Sequence, residues 1–533
     1  MNAGWSYDHL PMAWVGNWSG RRAALTPQRP ALYEPERGRR CTFAEVDQRA
    51  ERAAAFLTEV LGIGGGEPVC LLARNRLEAV DLYFACGKTG VVLAPLSYRL
   101  AEPELNDLIR RIAPRALFYD EAFAELAASL SLPEGAERIE LADGRGRYHE
   151  AVERGADPVV SCNRPLAMAD PFLYVHTGGT TATPKLCVVP HRQMVWNAVD
   201  ILVSSGGALG PQQELLNFPL FHIGGWNTLT PVFYAGGCTV MPRAFEPGQA
   251  LALIESEAIT HFGAVEAMLQ YIAEHPSFAG TDMSSLAGIT TAGAPCSAST
   301  MQPFWERGIR VSQSYGLTEA GPSNFLLVGD EHDIEGLRAH HDSVGTAMFH
   351  TDYRIVHPET LEPVAPETVG VLLMRSPHAF DGYLDEPERS AQTLLPGGWV
   401  YTGDLVHEDE AGYVRLVGRA DNMFVSGGEN IAPEEIEQVL LRHAGVRKAA
   451  VAGIPDARWG AVPGALVVAR PGAEVDAEQI RQLAARALAR YKVPRRLCFV
   501  AELPLTGAGK IDRSRVRAQL MGDGHLSLDG EQG

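Results

Sequence analysis

Between residues 40 and 120, short apolar segments alternate with segments in which apolar residues recur at helical spacing. The strand-like segments are EPVCLLA, VVLAPLS and RALFYD, and the helical ones are TFAEVDQRAERAAAFLTEV, RLEAVDLYFACGKTG and EPELNDLIRRI. Apolar strands separated by amphipathic helices form parallel sheets that are covered on both faces. Because the rhythm returns in GCTVMPR, PGQALALIESEAI and THFGAV, we predict an α/β fold with mostly parallel sheets.

The length and a change of pattern near the C-terminus predict two domains. A chain of 533 residues exceeds one ordinary hydrophobic core. After residue 422 the pattern changes to a smaller α+β unit, with strand-like VRKAAVAGI, GALVVARPG and RRLCFVAEL, and helical PEEIEQVLLRH and DAEQIRQLAARALARY. We therefore expect a large N-terminal domain over residues 1–419, a hinge at 420–422, and a small mobile domain over 423–533 with its last dozen residues disordered.

Composition excludes several classes of protein. A formal net charge of -19 excludes a general nucleic-acid binder, which needs a basic surface. The eight cysteines contain no C-x-x-C pair, which predicts free thiols in a reducing cytoplasm. The N-terminus has no charged start followed by an apolar run, and no stretch of about 18 apolar residues occurs. Neither secretion nor a membrane span is expected.

The segment TGGTTATPK, residues 177–185, has the composition of a phosphate-binding loop. Its adjacent glycines allow close approach of backbone N–H groups, and its threonines and Lys185 add further donors. The flanking PFLYVH and LCVVPHRQM predict a turn between two strands. The segment is not a Walker loop, which has glycine directly before its lysine. Taken alone, it fits a polar surface loop equally well.

Further motifs follow in order along the chain. QSYGLTEAG offers an aromatic ring to stack a purine, a hydroxyl for a phosphate and a carboxylate for a metal ion. YTGDL contributes Asp404, a carboxylate suited to ribose hydroxyls. VGRAD contributes Arg419, SGGENIAPEEIE contributes a glycine pair, and PLTGAGKID contributes Lys510. Each residue alone also fits an ordinary core or surface role.

With these motifs in this order, the chain resembles the adenylate-forming superfamily, and within it the acyl-CoA synthetase branch. The resemblance runs from about residue 25 to about residue 520. It implies an ATP-dependent acid:CoA ligase with ATP, Mg2+ and coenzyme A as cofactors. A carboxylate would attack the α-phosphorus of ATP to give an acyl-adenylate and pyrophosphate, and a thiol would then displace AMP.

The resemblance also implies roles on the ATP side. Thr318 would contact the α-phosphate, Glu319 would bind Mg2+, and Lys510 would bridge carboxylate and α-phosphate; with His222 these form the expected catalytic set. The expected ATP-binding residues are Thr177, Gly178, Gly179, Thr180, Thr181, Lys185, Ala294, Pro295, Ser314, Tyr315, Gly316, Asp404 and Arg419.

On the acid and thiol sides, the resemblance implies three further groups. The acid would lie against His222, Gly225, Glu266 and Gly293, CoA against Gly427, Gly428 and Glu429, and the domains would rotate at Asp421. Glu266 stands where the family usually has a small hydroxyl residue. We hypothesise that its carboxylate helps to select a polar or amino-bearing acid, because a buried lone carboxylate needs a compensating group.

The chain departs from the family pattern at three further positions. Ala182 replaces a loop glycine, Gly178 replaces a serine, and Ala461 replaces a common acid. Two alternatives to a CoA ligase stay open here: an enzyme that loads an acyl carrier protein, and a non-catalytic nucleotide-binding protein. The identity of the acid and the formation of a homodimer are also open.

Overall fold

The structure is a computed structural model that describes residues 6–177, 184–205, 212–327, 333–426, 429–505 and 511–522. The chain forms two compact units. The larger comprises Met1–Tyr353 and Met374–Thr402, and the smaller comprises Arg354–Leu373 and Gly403–Gly533. No helix among the described residues is long and apolar enough to cross a bilayer.

The described strands are β1 Pro30–Glu34, β2 Arg39–Thr42, β3 Pro68–Leu72, β4 Val92–Pro95, β5 Ala116–Asp120, β6 Glu137–Leu141, β7 Pro171–Thr177, β8 Lys185–Pro190, β9 Gln213–Leu215, β10 Cys238–Val240, β11 His261–Ala264, β12 Gly288–Thr291, β13 Val311–Leu317, β14 Gly321–Leu326, β15 Thr346–Ala347, β16 Asp352–Val356, β17 Gly370–Arg375, β18 Leu394–Leu395, β19 Trp399–Glu408, β20 Val414–Arg419, β21 Phe424–Ser426, β22 Glu429–Ile431, β23 Val446–Asp456, β24 Gly460–Ala469 and β25 Arg496–Phe499.

The described α-helices are α1 Trp18–Leu25, α2 Phe43–Ala55, α3 Leu77–Thr89, α4 Glu102–Ile112, α5 Ala124–Ser129, α6 Gly146–Glu153, α7 His191–Ser204, α8 Ile223–Ala235, α9 Pro247–Ser256, α10 Glu266–Glu274, α11 Ala298–Trp305, α12 Ile334–Ala339, α13 Pro387–Thr393, α14 Pro433–Leu440, α15 Ala477–Ala487 and α16 Arg513–Met521.

Two sheets form the framework of the larger unit. One has nine strands in the order β15-β14-β13-β12-β11-β9-β10-β1-β2, and the other has six in the order β6-β5-β3-β4-β7-β8. The pairs from β1 through β10, β9, β11 and β12 to β13 are parallel, as are the pairs that join β6, β5, β3, β4 and β7. Antiparallel strands complete the edges. The predicted mostly parallel α/β fold is therefore confirmed.

The predicted alternation between residues 40 and 120 is also confirmed element by element. α2 begins at a capping box in which the Thr42 hydroxyl and the Glu45 side chain satisfy each other's backbone N–H groups. α3 is buried along its whole length, because it packs inside the larger unit rather than on its surface. Its apolar residues belong to the same core cluster as those of α2.

The smaller unit has the predicted α+β character. A three-stranded sheet β23-β24-β25 packs against α14 and α15 through buried residues such as Ile436, Val451 and Ile480. A two-stranded sheet β21-β22 precedes it, and β20 pairs with β19 in a five-stranded sheet. The last boundary between the two units falls at residues 402/403, within β19, while the predicted hinge at 420–422 follows β20. Rotation at that hinge stays a prediction, and residues 523–533 of the predicted tail lie outside the described residues.

Candidate active site

The predicted phosphate loop connects two antiparallel strands. β7 ends at Thr177, β8 begins at Lys185, and these two residues are cross-strand partners. The strands form because their inward side chains, including Val175 and Cys187, are buried in the main core. Residues 178–183 lie outside the described part of the chain; they include the predicted Gly178, Gly179, Thr180 and Thr181, and the divergent Ala182.

Lys185 and Glu319 meet through a tyrosine that sequence reasoning did not single out. The Lys185 Nζ lies 5.1 Å from the centroid of the Tyr383 ring. The Tyr383 hydroxyl donates a 2.8 Å hydrogen bond to Glu319 Oε1. Burial and the neighbouring Glu319 charge raise the pKa of Tyr383, so the hydroxyl keeps its proton at neutral pH. The ammonium, the phenol and the carboxylate therefore form one connected group.

The segment that carries Tyr383 also fixes the backbone around Glu319. The Phe380 N–H donates to the Glu319 carbonyl at 3.0 Å, and the Ser376 hydroxyl donates to the Ala320 carbonyl at 3.1 Å. Gly321 has φ +96, and a Cβ there would lie 2.0 Å from His378 Nδ1, so only glycine fits. Tyr383 was missed because it lies 64 positions beyond Glu319 in the chain.

Four neighbouring parallel strands bring the other predicted residues to one edge of the nine-stranded sheet. His222 follows β9, Glu266 follows β11, Gly293 follows β12, and Thr318 follows β13. Since the carboxyl ends of parallel strands meet at the same edge, residues scattered over about a hundred positions lie at one place. This edge is where open α/β sheets bind their ligands.

β13 and the turn after β12 supply the predicted purine-side residues. Tyr315 is buried, and its ring stands edge-on to Phe325 at 6.1 Å. The Ser314 hydroxyl donates to the Phe325 carbonyl at 3.0 Å, and a Cβ on Gly316 would lie 2.5 Å from the Pro322 carbonyl oxygen. The β14 backbone therefore packs closely on this strand. Residues 293–295, with Ala294 and Pro295, are exposed after β12.

Thr318 is held from α7. Its backbone carbonyl accepts a 2.6 Å hydrogen bond from Gln193 Nε2, and both residues are buried. The bond fixes the backbone one residue before Glu319. α7 thus positions the same turn that the Tyr383 segment holds from its other side.

His222 is exposed and is the N-cap of α8. Its Nδ1 accepts a 3.2 Å hydrogen bond from the Gly224 N–H. In the neutral ring this leaves the proton on Nε2, which is then a hydrogen-bond donor. Gly225 is required beside it, because a Cβ there would lie 2.6 Å from the Pro219 carbonyl oxygen.

A second histidine, His176, lies next to the phosphate loop and was also missed. Its Nε2 accepts a 3.1 Å hydrogen bond from the Ser97 N–H, two residues beyond β4. Burial, with a smaller effect of His222, lowers the pKa of His176 to about 4. The ring is therefore neutral at pH 7 and ties the end of β7 to the segment that follows β4. Its position directly before the motif was the available signal.

Glu266 has two hydrogen-bond donors from the start of α11. Its Oε1 accepts from the Ser297 N–H and from the Thr300 hydroxyl, each at 3.0 Å. These donors provide the compensation that the sequence analysis required of a half-buried carboxylate. Selection of a polar acid by Glu266 stays a prediction.

Glu266→Gln separates the two roles of this carboxylate, because the amide oxygen still accepts from Ser297 while the charge is removed. We expect use of plain apolar acids to rise about tenfold relative to polar acids, measured as the ratio of kcat/KM values. Glu266→Thr serves as the second variant and should also lower the melting temperature. An unchanged acid ranking in both variants would leave Glu266 with the structural role alone.

In the smaller unit, the predicted ribose residues form an ion-pair cluster with the predicted hinge. Arg419 donates from Nη1 to Asp404 Oδ1 at 2.9 Å and from Nε to Asp421 Oδ1 at 3.0 Å. Asp404 and Arg419 are also cross-strand partners in β19 and β20. The resemblance therefore named three residues that lie together.

Two predicted groups in the smaller unit fall wholly or partly outside the described residues. Gly427 and Gly428 lie outside them, and so does the side chain of Glu429, whose backbone begins β22. Lys510 also lies outside them. Close to that lysine, Leu505 and Ile511 form an antiparallel bridge, and the Asp512 N–H donates to the Pro504 carbonyl at 2.9 Å.

The donor set fits magnesium bound together with a nucleotide. Among the described residues no group of three or more His, Cys, Asp or Glu side chains is placed to hold an ion. Mg2+ is usually bound by one or two carboxylates with substrate phosphates rather than by an all-protein cage. Glu319, oriented by Tyr383 and only partly buried, offers one such carboxylate.

The chain matches known proteins over nearly its whole length. A family model described as AMP-binding enzyme covers residues 20–384, and one described as AMP-binding enzyme C-terminal domain covers 435–510. A feruloyl-CoA synthase of Amycolatopsis sp is 35% identical over 94% of this chain and 98% of that protein. An indoleacetate–CoA ligase of Aromatoleum aromaticum is 32% identical over 94% of this chain and 97% of that protein.

A solved structure is also similar to this chain over nearly its whole length. The o-succinylbenzoate CoA synthetase MenE from Bacillus subtilis, in complex with the acyl-adenylate intermediate OSB-AMP, superposes with a TM-score of 0.82. It is 26% identical, and the match covers 94% of this chain and 98% of that one.

Proposed function

We propose that this chain, which belongs to the AMP-binding enzyme family in its acyl-CoA synthetase branch, joins an aromatic carboxylic acid to CoA in an ATP-driven reaction. Such AMP-forming ligases convert the carboxylate to an acyl-adenylate and then to a thioester. The first step is needed because a carboxylate is a poor electrophile, whereas the adenylate carries a good leaving group. The protein contributes mainly position and charge stabilisation.

One observation supports ATP binding above the others. The strand ends Thr177 and Lys185 are paired, and Lys185 lies over the ring of Tyr383, whose hydroxyl donates to Glu319. The glycine- and threonine-rich loop between those strands would hold the β- and γ-phosphates. Lys185 would add its positive charge from the loop exit. Tyr383 would keep the Glu319 carboxylate directed to the same place.

We assign Mg2+ to Glu319 together with the phosphates. A bound Mg2+ neutralises polyphosphate charge and assists the departure of pyrophosphate. Thr318, held by Gln193, would contact the α-phosphate from the adjacent position. Tyr315 would pack against adenine, and Asp404 with Arg419 would bind the ribose hydroxyls.

The acid would enter beside His222. Its Nε2–H, fixed by the Gly224 hydrogen bond, suits a carboxylate oxygen as acceptor. The names of two relatives, feruloyl-CoA synthase and indoleacetate–CoA ligase, both denote aromatic acids. These names support an aromatic substrate class for this chain.

A panel of acids tests the proposal. Acid-dependent pyrophosphate exchange and AMP release would be measured with ferulate, indoleacetate and straight-chain fatty acids, each with and without CoA. We expect the aromatic acids to give the highest exchange and CoA to raise AMP release. A strong preference for an acyl carrier protein over CoA would favour the carrier-loading alternative, and preference for fatty acids would overturn the aromatic assignment.

Asp421→Pro tests the proposed hinge. Proline fixes φ near -65° and should arrest the smaller domain in one orientation. Adenylation is expected to survive better than thioester formation, measured as separate half-reactions. Asp421→Ala is the control, because it also removes the Arg419 ion pair but leaves the backbone free. Equal loss of both half-reactions in a folded proline variant would exclude Asp421 as the pivot.

A further inference from the structure

Asn75 lies between β3 and α3 and makes two hydrogen bonds to a loop of the other large sheet. Its Nδ2 donates to the Phe218 carbonyl at 3.0 Å, and its Oδ1 accepts from the Leu220 N–H at 2.8 Å. The residue is 2% exposed. One carboxamide therefore satisfies a backbone acceptor and a backbone donor that flank Pro219, as a neighbouring strand would.

The loop that Asn75 holds leads directly into His222. The His222 N–H donates to the Pro219 carbonyl at 3.1 Å, and the Gly225 N–H donates to the His222 carbonyl at 3.0 Å. The two Asn75 bonds thus fix Phe218 and Leu220, the residues on both sides of Pro219, whose carbonyl accepts the hydrogen bond from the His222 N–H. Leu220 itself is buried, so its N–H has no access to bulk solvent as a substitute partner.

Asn75 is a rigid support for this loop. Its own N–H donates to the Arg243 carbonyl, just beyond β10, at 3.2 Å. The next residue, Arg76, is fully buried and paired with Glu78 at 2.7 Å. Movement of Asn75 would disturb these buried contacts, so the loop is held against a fixed point.

We propose that Asn75 is a positioning residue, which ties the two sheets together through the 218–220 backbone and thereby sets where His222 meets the acid. The inference rests on the proposed function for the role of His222. The hydrogen bonds to the loop do not depend on that function.

Asn75→Ala tests the proposal by leaving both backbone groups without their partner. We expect kcat/KM for the acid to fall at least tenfold while KM for ATP stays within twofold. Hydrogen exchange of the Leu220 amide should accelerate at least tenfold, because its acceptor is gone. Asn75→Asp retains an acceptor for Leu220 but cannot donate to Phe218 when ionised, so a smaller loss is expected and the variant remains informative if alanine prevents folding.

Tyr83→Phe is the matched control. Tyr83 on α3 and Thr230 on α8 share a buried 2.8 Å hydrogen bond, so this variant weakens a contact between the two helices that follow Asn75 and the 218–220 loop. It should lower stability without changing the acid parameters. The proposal is overturned if Asn75→Ala and Tyr83→Phe behave alike, if acid and ATP parameters change equally, or if Leu220 keeps its protection. A wild-type protein that activates no acid would instead refute the proposed function.

Discussion

Lys510→Ala is expected to abolish acid-dependent pyrophosphate exchange while leaving the thioester half-reaction largely intact. In the first step, negative charge from the carboxylate and the α-phosphate would crowd together, and the Lys510 ammonium would stabilise it. Loss of one such donor typically costs a factor of about 100 to 1000 in rate. In the second step, rotation of the smaller domain would carry the lysine away from the reacting carbonyl.

The measurement separates the two steps by supplying the intermediate. Purified variant would be given acid and ATP in one assay, and synthetic acyl-adenylate with CoA in the other. Lys492→Ala is a useful control, since Lys492 belongs to the same small domain but pairs with Glu435 at 2.7 Å. It should affect neither half-reaction. Equal failure of folded Lys510→Ala on supplied adenylate would remove its specificity for the first step, and full exchange would refute the role drawn from the C-terminal motif.

Much of the fold was predictable because local signals agreed with tertiary burial. The strand-like segments EPVCLLA and RALFYD became β3 and β5, and TFAEVDQRAERAAAFLTEV became α2 with its capping box. Each apolar strand is buried in a parallel sheet that is covered on both faces, so the continuous apolar sequence matches the apolar surroundings. The loop at residues 177–185 fits a polar surface loop equally well when taken alone, so its phosphate-binding role was predicted only from the ordered set of motifs. The predicted pair of strands around it, β7 and β8, is confirmed.

The parts that could not be predicted depend on long-range contacts. Nothing in the local pattern connects Tyr383 with Glu319 or Asn75 with Leu220, because a hydrogen bond between distant segments leaves no periodic trace. Glu266 illustrates the same limit: the sequence suggested a carboxylate in need of a partner, and the structure supplies two donors from α11. The sequence indicated that the Glu266 carboxylate needs hydrogen-bond donors, but which donors reach it depends on how the distant segments fold together.

Glu214 is expected to make the free energy of unfolding depend on pH. It lies in β9, between β10 and β11, with Thr239 and His261 as register partners in the interior of the nine-stranded sheet. Burial raises its pKa to about 8, against the opposing effect of a hydrogen bond with the Gly263 backbone. Between the ordinary carboxyl pKa and about pH 8, this carboxyl group is charged in the unfolded chain and must therefore take up a proton when the chain folds.

Glu214→Gln should consequently become more stable than the wild type as pH rises. Above the ordinary carboxyl pKa the unfolded state loses its proton while the folded state keeps it up to about pH 8, so the wild-type free energy of unfolding falls with pH across this window. At about 1.4 kcal/mol per pH unit, the loss of wild-type stability that is due to Glu214 accumulates to about 5 kcal/mol between pH 4.5 and pH 8.

Other groups titrate in both proteins, so the difference between their melting temperatures at pH 5.5 and pH 8 isolates Glu214. Glu274→Gln, an exposed substitution at the end of α10, should follow the wild type at both pH values. Parallel curves for Glu214→Gln and the wild type would show that Glu214 ionises normally in the folded protein.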